Sequence, residues 1–89
     1  MIMLKKILNV GGVYKLNELA VGNEAEVLNI KSKNNLLLRR LFDLGITNGV
    51  AIKIKRIAPL GGAVSFQIRD YELALRDNEL KNIVVRLIK

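Results

Sequence analysis

Apolar residues recur along this chain at two spacings. Over residues 24–31, and again from residue 50 onward, they favour alternate positions, the period of a strand with one buried face. Over residues 35–44 they recur three and four apart, the period of a helix. In residues 50–58, Val50, Ile52 and Ile54 point one way and Ala51, Lys53 and Lys55 the other. The phase breaks at Arg56-Ile57, which predicts a bulge or bend there. Residues 63–69 repeat the pattern with Val64, Phe66 and Ile68 inward. Residues 72–76 carry it on Leu73 and Leu75, and residues 83–88 form the last predicted strand. Residues 24–31 form the first, with imperfect alternation.

Residues 35–44 predict one full helix. At 100° per residue, Leu37, Leu38, Leu41, Phe42 and Leu44 share a broad apolar face, and Arg39, Arg40 and Asp43 face away. Leu36 falls among the polar positions and is expected to be exposed. Ser32, Lys33 and Asn34 stand before the helix as N-cap candidates. Gly45 is expected just past its end with positive φ, Gly49 closes a tight turn, and Pro59-Leu60-Gly61-Gly62 makes a hairpin turn. Residues 15–22 read as a short turn or one helical turn, and residues 77–82 as a helical turn opened by Asp77. Residues 1–12 are an arm that could supply an extra strand between copies in a homo-oligomer. Residues 13–89 are the domain. Five short strands, a helix between the first two and a helical turn before the last give a mainly β fold. A small, partly open barrel of the SH3-like or OB-like kind suits that order.

Composition narrows the function. The chain has 89 residues, enough for one domain, and 51% of them are hydrophobic. It has no Cys and no His, so disulfides, thiolate or imidazole metal sites and imidazole catalysis have no residues to work with. Only eight residues are acidic. A binding protein without catalytic residues, cofactor or metal ligands is expected rather than an enzyme. No apolar run is long enough to span a membrane, and the first residues lack the long apolar region and cleavage site of a signal peptide, so a cytoplasmic location is expected.

The net charge of +7 points to an anionic partner. Lys53, Lys55, Arg56 and Arg69 could line a basic sheet face. Binders of single-stranded nucleic acid also stack bases on aromatic rings, and Phe42 and Phe66 lie in apolar phase, which leaves Tyr14 and Tyr71. A nucleic-acid-binding barrel is therefore disfavoured. Glu24, Glu26, Asp70 and Glu72 match no cation-binding loop, and Gly11-Gly12 and Gly61-Gly62 lack the sequence around a phosphate loop. A carrier of ferrous or another divalent cation through oxygen ligands remains as an alternative.

From Leu37 to Val85 the chain resembles the FeoA family of small bacterial proteins associated with ferrous iron uptake. The resemblance rests on Leu37-Leu38-Arg39-Arg40-Leu41, Leu44-Gly45-Ile46-Thr47-Asn48-Gly49 and the basic strand ending Lys55-Arg56-Ile57. It continues through Ala58-Pro59-Leu60-Gly61, Leu73-Ala74-Leu75-Arg76 and Asp77-Asn78-Glu79-Leu80. Asn48 stands where the family favours Pro, and Gly62-Ala63 replaces Asp-Pro. The resemblance implies an SH3-like barrel and a cytosolic accessory to a FeoB-type ferrous iron transporter, which carries a cytosolic G-protein domain. Similar domains also end metal-dependent repressors, but this chain lacks their DNA-binding and metal-sensing parts. SH3-like barrels bind extended segments between loops or along a sheet edge. The expected partner surface is Leu60 and Gly61 at the turn tip with Arg56 and Arg76 beside it; Arg39, Arg40 and Leu36 on the helix are a second. Gly45, Gly49 and Pro59 are expected to shape turns.

Overall fold

The computed structural model of the chain describes residues 7–89. Strands β1 (Val13–Lys15), β2 (Glu24–Ile30), β3 (Ala51–Ile57), β4 (Val64–Ile68), β5 (Tyr71–Leu75) and β6 (Ile83–Leu87) form one antiparallel sheet in the order β1-β6-β2-β3-β4-β5. Helix α1 (Asn35–Asp43) joins β2 to β3, and the single turn α2 (Asp77–Leu80) joins β5 to β6. The fold is mainly β, as expected, with one strand more than the pattern predicted. β1 is three residues long and pairs with β6 through Val13–Arg86, Tyr14–Val85 and Lys15–Val84.

Alternation becomes burial directly. Ile52, Ile54, Phe66 and Ile68 are buried on β3 and β4, with Lys53, Lys55 and Gln67 exposed between them. The bulge expected at the end of β3 is present: the β3–β4 register shifts between Ile54 and Arg56, after which Arg56 and Ile57 are both exposed. A second bulge, between Val27 and Asn29 on β2, accounts for the imperfect alternation there.

Asn34 is the cap of α1; its side chain accepts a hydrogen bond from the Leu37 N–H at 3.1 Å. At the other end the Gly45 N–H donates to Phe42 O at 2.9 Å and the Ile46 N–H to Leu41 O at 3.0 Å. That pair of bonds is the Schellman ending, with Gly45 in the left-handed region at φ 91° and Leu41 and Ile46 both fully buried. Of the predicted apolar helix face, Leu37, Leu41 and Leu44 pack on the core. Phe42 does not: it is 65% exposed, a correction to the core position its periodicity implied. The helix rests on the sheet along a narrow stripe. Phe42, one position round from Leu41, overhangs the hollow beside β2.

The arm is partly described. Residues 1–6 lie outside the described residues. Further along, the Gly11 N–H donates to Leu87 O at 2.7 Å and the Leu87 N–H to Gly12 O at 2.9 Å, so this part of the arm lies on the chain's own last strand. α2 starts at Asp77, as the sequence suggested, and ends at Leu80, two residues short of the expected end. Arg76 holds the cap position, and its N–H is taken by the Glu79 carboxylate at 3.0 Å.

Candidate functional site

Most of the residues singled out from the sequence fall in three places. Leu60 forms the tip of the turn Pro59–Gly61, with Pro59 as its first residue. Its side chain is fully exposed (104%), and its backbone is left-handed at φ 61°. The Ala58 N–H closes the turn on Ala63 O at 3.0 Å. Arg56 is exposed where β3 enters this hairpin, opposite Ser65. Gly49 shapes the other corner, its N–H donating to Val27 O at 2.7 Å.

The second place is a hollow of about 510 Å³ between α1 and β2. One wall is Leu38, Arg39 and Phe42 of the helix. The other is Leu28 and Ile30 of β2, and Thr47 and Asn48 close the end. Leu28 is the residue that the β2 bulge displaces from register. The lining is mostly apolar with a polar rim, the make-up of a site that takes another chain's side chain. Leu36, 82% exposed, lies on the same helix outside this hollow.

The third place is a polar hollow of about 600 Å³ between the start of α1 and α2. Arg40 and Arg76, expected on two separate surfaces, meet here together with Lys81. Arg40 is ion-paired to Glu79, which ties the two helices together. Arg39, by contrast, points into the α1–β2 hollow. Sequence reasoning missed Leu28, Phe42 and Lys81. For Phe42 the signal was present in its place at the margin of the apolar stripe.

The basic sheet face is less basic than its own strand suggests. Lys53 lies opposite Glu24 on β2, and Arg86 of β6 opposite Glu26. Lys89 Nζ is 3.6 Å from Glu24 Oε2. Opposite charges in cross-strand register compensate one another across this face. Among the described residues no three Asp or Glu side chains gather as a metal site, and no helix is long and apolar enough to cross a membrane.

Comparison with known proteins gives this geometry a family. The sequence model of the FeoA domain matches residues 14–87. The chain is 30% identical over 74 residues to an Fe(2+) transport protein A/Fe(2+) transporter FeoB fusion protein of Porphyromonas gingivalis, a match covering 83% of this chain and 9% of that protein. Its structure is similar to a FeoA-like protein from Clostridium acetobutylicum, with a TM-score of 0.79, 31% identity, and 86% and 88% of the two chains covered. It is similar also to the zinc complex of Stenotrophomonas maltophilia FeoA, described as a procaryotic SH3 domain protein. There the TM-score is 0.70 and the identity 30%, over 79% of this chain and 86% of that one. The SH3-like architecture expected from the resemblance is the one observed.

Proposed function

The chain belongs to the FeoA family, associated with ferrous iron transport, and we propose that it is a non-enzymatic cytoplasmic accessory protein that binds a FeoB-type ferrous iron transporter. The observation that carries this reading is the fusion of such a domain to a FeoB transporter in one Porphyromonas gingivalis chain. Fusion holds two partners at high effective concentration, which serves a function where their surfaces meet. Two separate places offer exposed apolar side chains: Phe42 over the α1–β2 hollow and Leu60 at the turn tip. An exposed aromatic beside a preformed hollow is the usual anchor of a protein interface.

Titration calorimetry of the full chain against the purified FeoB-type transporter of the same cell tests the reading. Saturable binding is expected. Phe42→Asp, at a side chain already in solvent, should leave thermal stability near that of the parent and weaken binding by about tenfold or more. No binding to the transporter by the folded parent chain would refute the reading, and full affinity in Phe42→Asp would remove the hollow from it.

A further inference from the structure

We propose that the hollow between α1 and α2 binds an acidic polypeptide segment of the transporter, an inference that rests on the transporter reading above. Three cations, Arg40, Arg76 and Lys81, line it against a single carboxylate, Glu79. That carboxylate is already engaged on both oxygens. Oε1 accepts the Arg76 N–H at 3.0 Å, and Oε2 pairs with Arg40. Among the described residues, neither the Arg76 guanidinium nor the Lys81 ammonium has a carboxylate at ion-pair distance. Two cations of this hollow are therefore left without a carboxylate, whereas on the sheet Lys53 and Arg86 each face a glutamate. Uncompensated charge in a concave site focuses field and attracts the opposite sign.

The lining also favours a polypeptide over a stacked nucleic-acid base. Its remaining donors include the Ser32 hydroxyl and the Asn34 and Asn78 amides, and Leu37 gives it one apolar wall. Carboxylates on a polypeptide match these donors: a guanidinium takes one in two parallel hydrogen bonds, and an ammonium takes one as a point charge. No aromatic side chain lines the hollow, so a nucleic-acid base would find nothing to stack on. Leu37 suits an apolar side chain set among the acids. Arg40, held by Glu79, is oriented before a ligand arrives, while Arg76 and Lys81 are exposed and free to turn onto it.

The test is an NMR amide-shift titration of the full chain at low salt. The probe is a synthetic peptide of glutamate and serine with one leucine. Shifts centred on Arg40, Arg76, Asn78 and Lys81, weakening as salt is raised, are expected. The pair Arg76→Glu and Lys81→Glu should lower peptide affinity by about tenfold or more. The milder pair Arg76→Gln and Lys81→Gln should lower it less, and Lys53→Glu should leave it near that of the parent. Thermal melts check that each variant is folded. Shifts centred on Lys53 and Lys55, equal loss in Lys53→Glu, or stronger shifts of the same amides by a single-stranded oligonucleotide of equal charge would overturn the proposal. The same variants are then offered to the transporter. If it binds the parent and the charge-reversed chain equally, the acidic-segment inference falls and the transporter reading stands. If the peptide fills the hollow but the transporter ignores the parent chain, the site stands and the transporter reading falls.

Discussion

Two of the corners at which this chain enters the left-handed region do so under opposite constraints. At the end of α1 the residue is Gly45, with φ 91°; at the β3–β4 turn it is Leu60, with φ 61°. Around Gly45 there is no room. Tyr71 Oη donates to Leu44 O at 2.5 Å across the glycine, and a Cβ there would overlap that hydroxyl and come within 3.2 Å of Arg69 Nη1. The next residue, Ile46, is wholly buried. Around Leu60 there is only solvent. A left-handed side chain costs about 1–2 kcal/mol wherever it sits. Glycine avoids that cost at the corner where packing also forbids a side chain. At the open corner a leucine accepts it with no core contact in return. Strain kept without packing is the ground for proposing a functional role at such a position. Gly45 thus belongs to the fold and Leu60 to the proposed partner surface.

The largest effect should come from filling the closed corner. Gly45→Val adds left-handed strain of about 1–2 kcal/mol. It also displaces Tyr71 from its bond to Leu44, worth about 1 kcal/mol more. For a domain of this size the sum lowers Tm by about 10 °C or more, read by thermal unfolding. A melting temperature within error of the parent would contradict the packing described here. A double-mutant cycle then separates strain from overlap. Tyr71→Phe alone should cost about 1 kcal/mol, the worth of its hydrogen bond. It also removes the atom that a Cβ would strike; the ring carbon behind it is 3.7 Å away. Gly45→Ala should therefore cost less in the Tyr71→Phe background, with a coupling of about 0.5–1 kcal/mol. Strictly additive costs would mean that the overlap is relieved by a simple shift of the tyrosine.

The closed corner was half legible in the sequence. The apolar stripe of α1 stops at Leu44 and a glycine follows, which is enough to infer the helix end and its positive φ. Tyr71 as the closing partner was not, because it comes from 27 residues away, and local periodicity carries no information about which strand passes beneath a helix end. The same limit hid the α1–α2 hollow. Arg40 and Arg76 were each singled out, but the ion pair that brings their elements together spans 39 residues. β1 escaped notice because three residues cannot establish a period; the arm and β6 hold it in place. Phe42 was misplaced because a 100° projection marks the side of a helix on which a residue lies, not how wide a strip its neighbours cover. The strands were read well wherever one face is buried and the other charged, as on β3, because burial then imposes the alternation itself.

The smallest predicted effect is the one that most sharpens the contrast between the corners. Leu60→Asn replaces a residue that tolerates the left-handed region poorly with one that enters it more readily. It removes no core contact, because the leucine side chain is fully exposed. Stability should therefore rise, by about 0.5 kcal/mol, a Tm increase of about 2–4 °C. Leu60→Gly relieves the same strain but frees the unfolded chain, so it should lie nearer the parent. If Leu60 anchors the partner, affinity for the transporter falls in both variants while stability holds or improves, and the two readouts move apart. If the leucine instead folds back onto the barrel in solution, both variants lose stability as they would at any packed site. A melt and a binding isotherm on Leu60→Asn thus decide whether the open corner is kept for contact or is a second, looser piece of the fold.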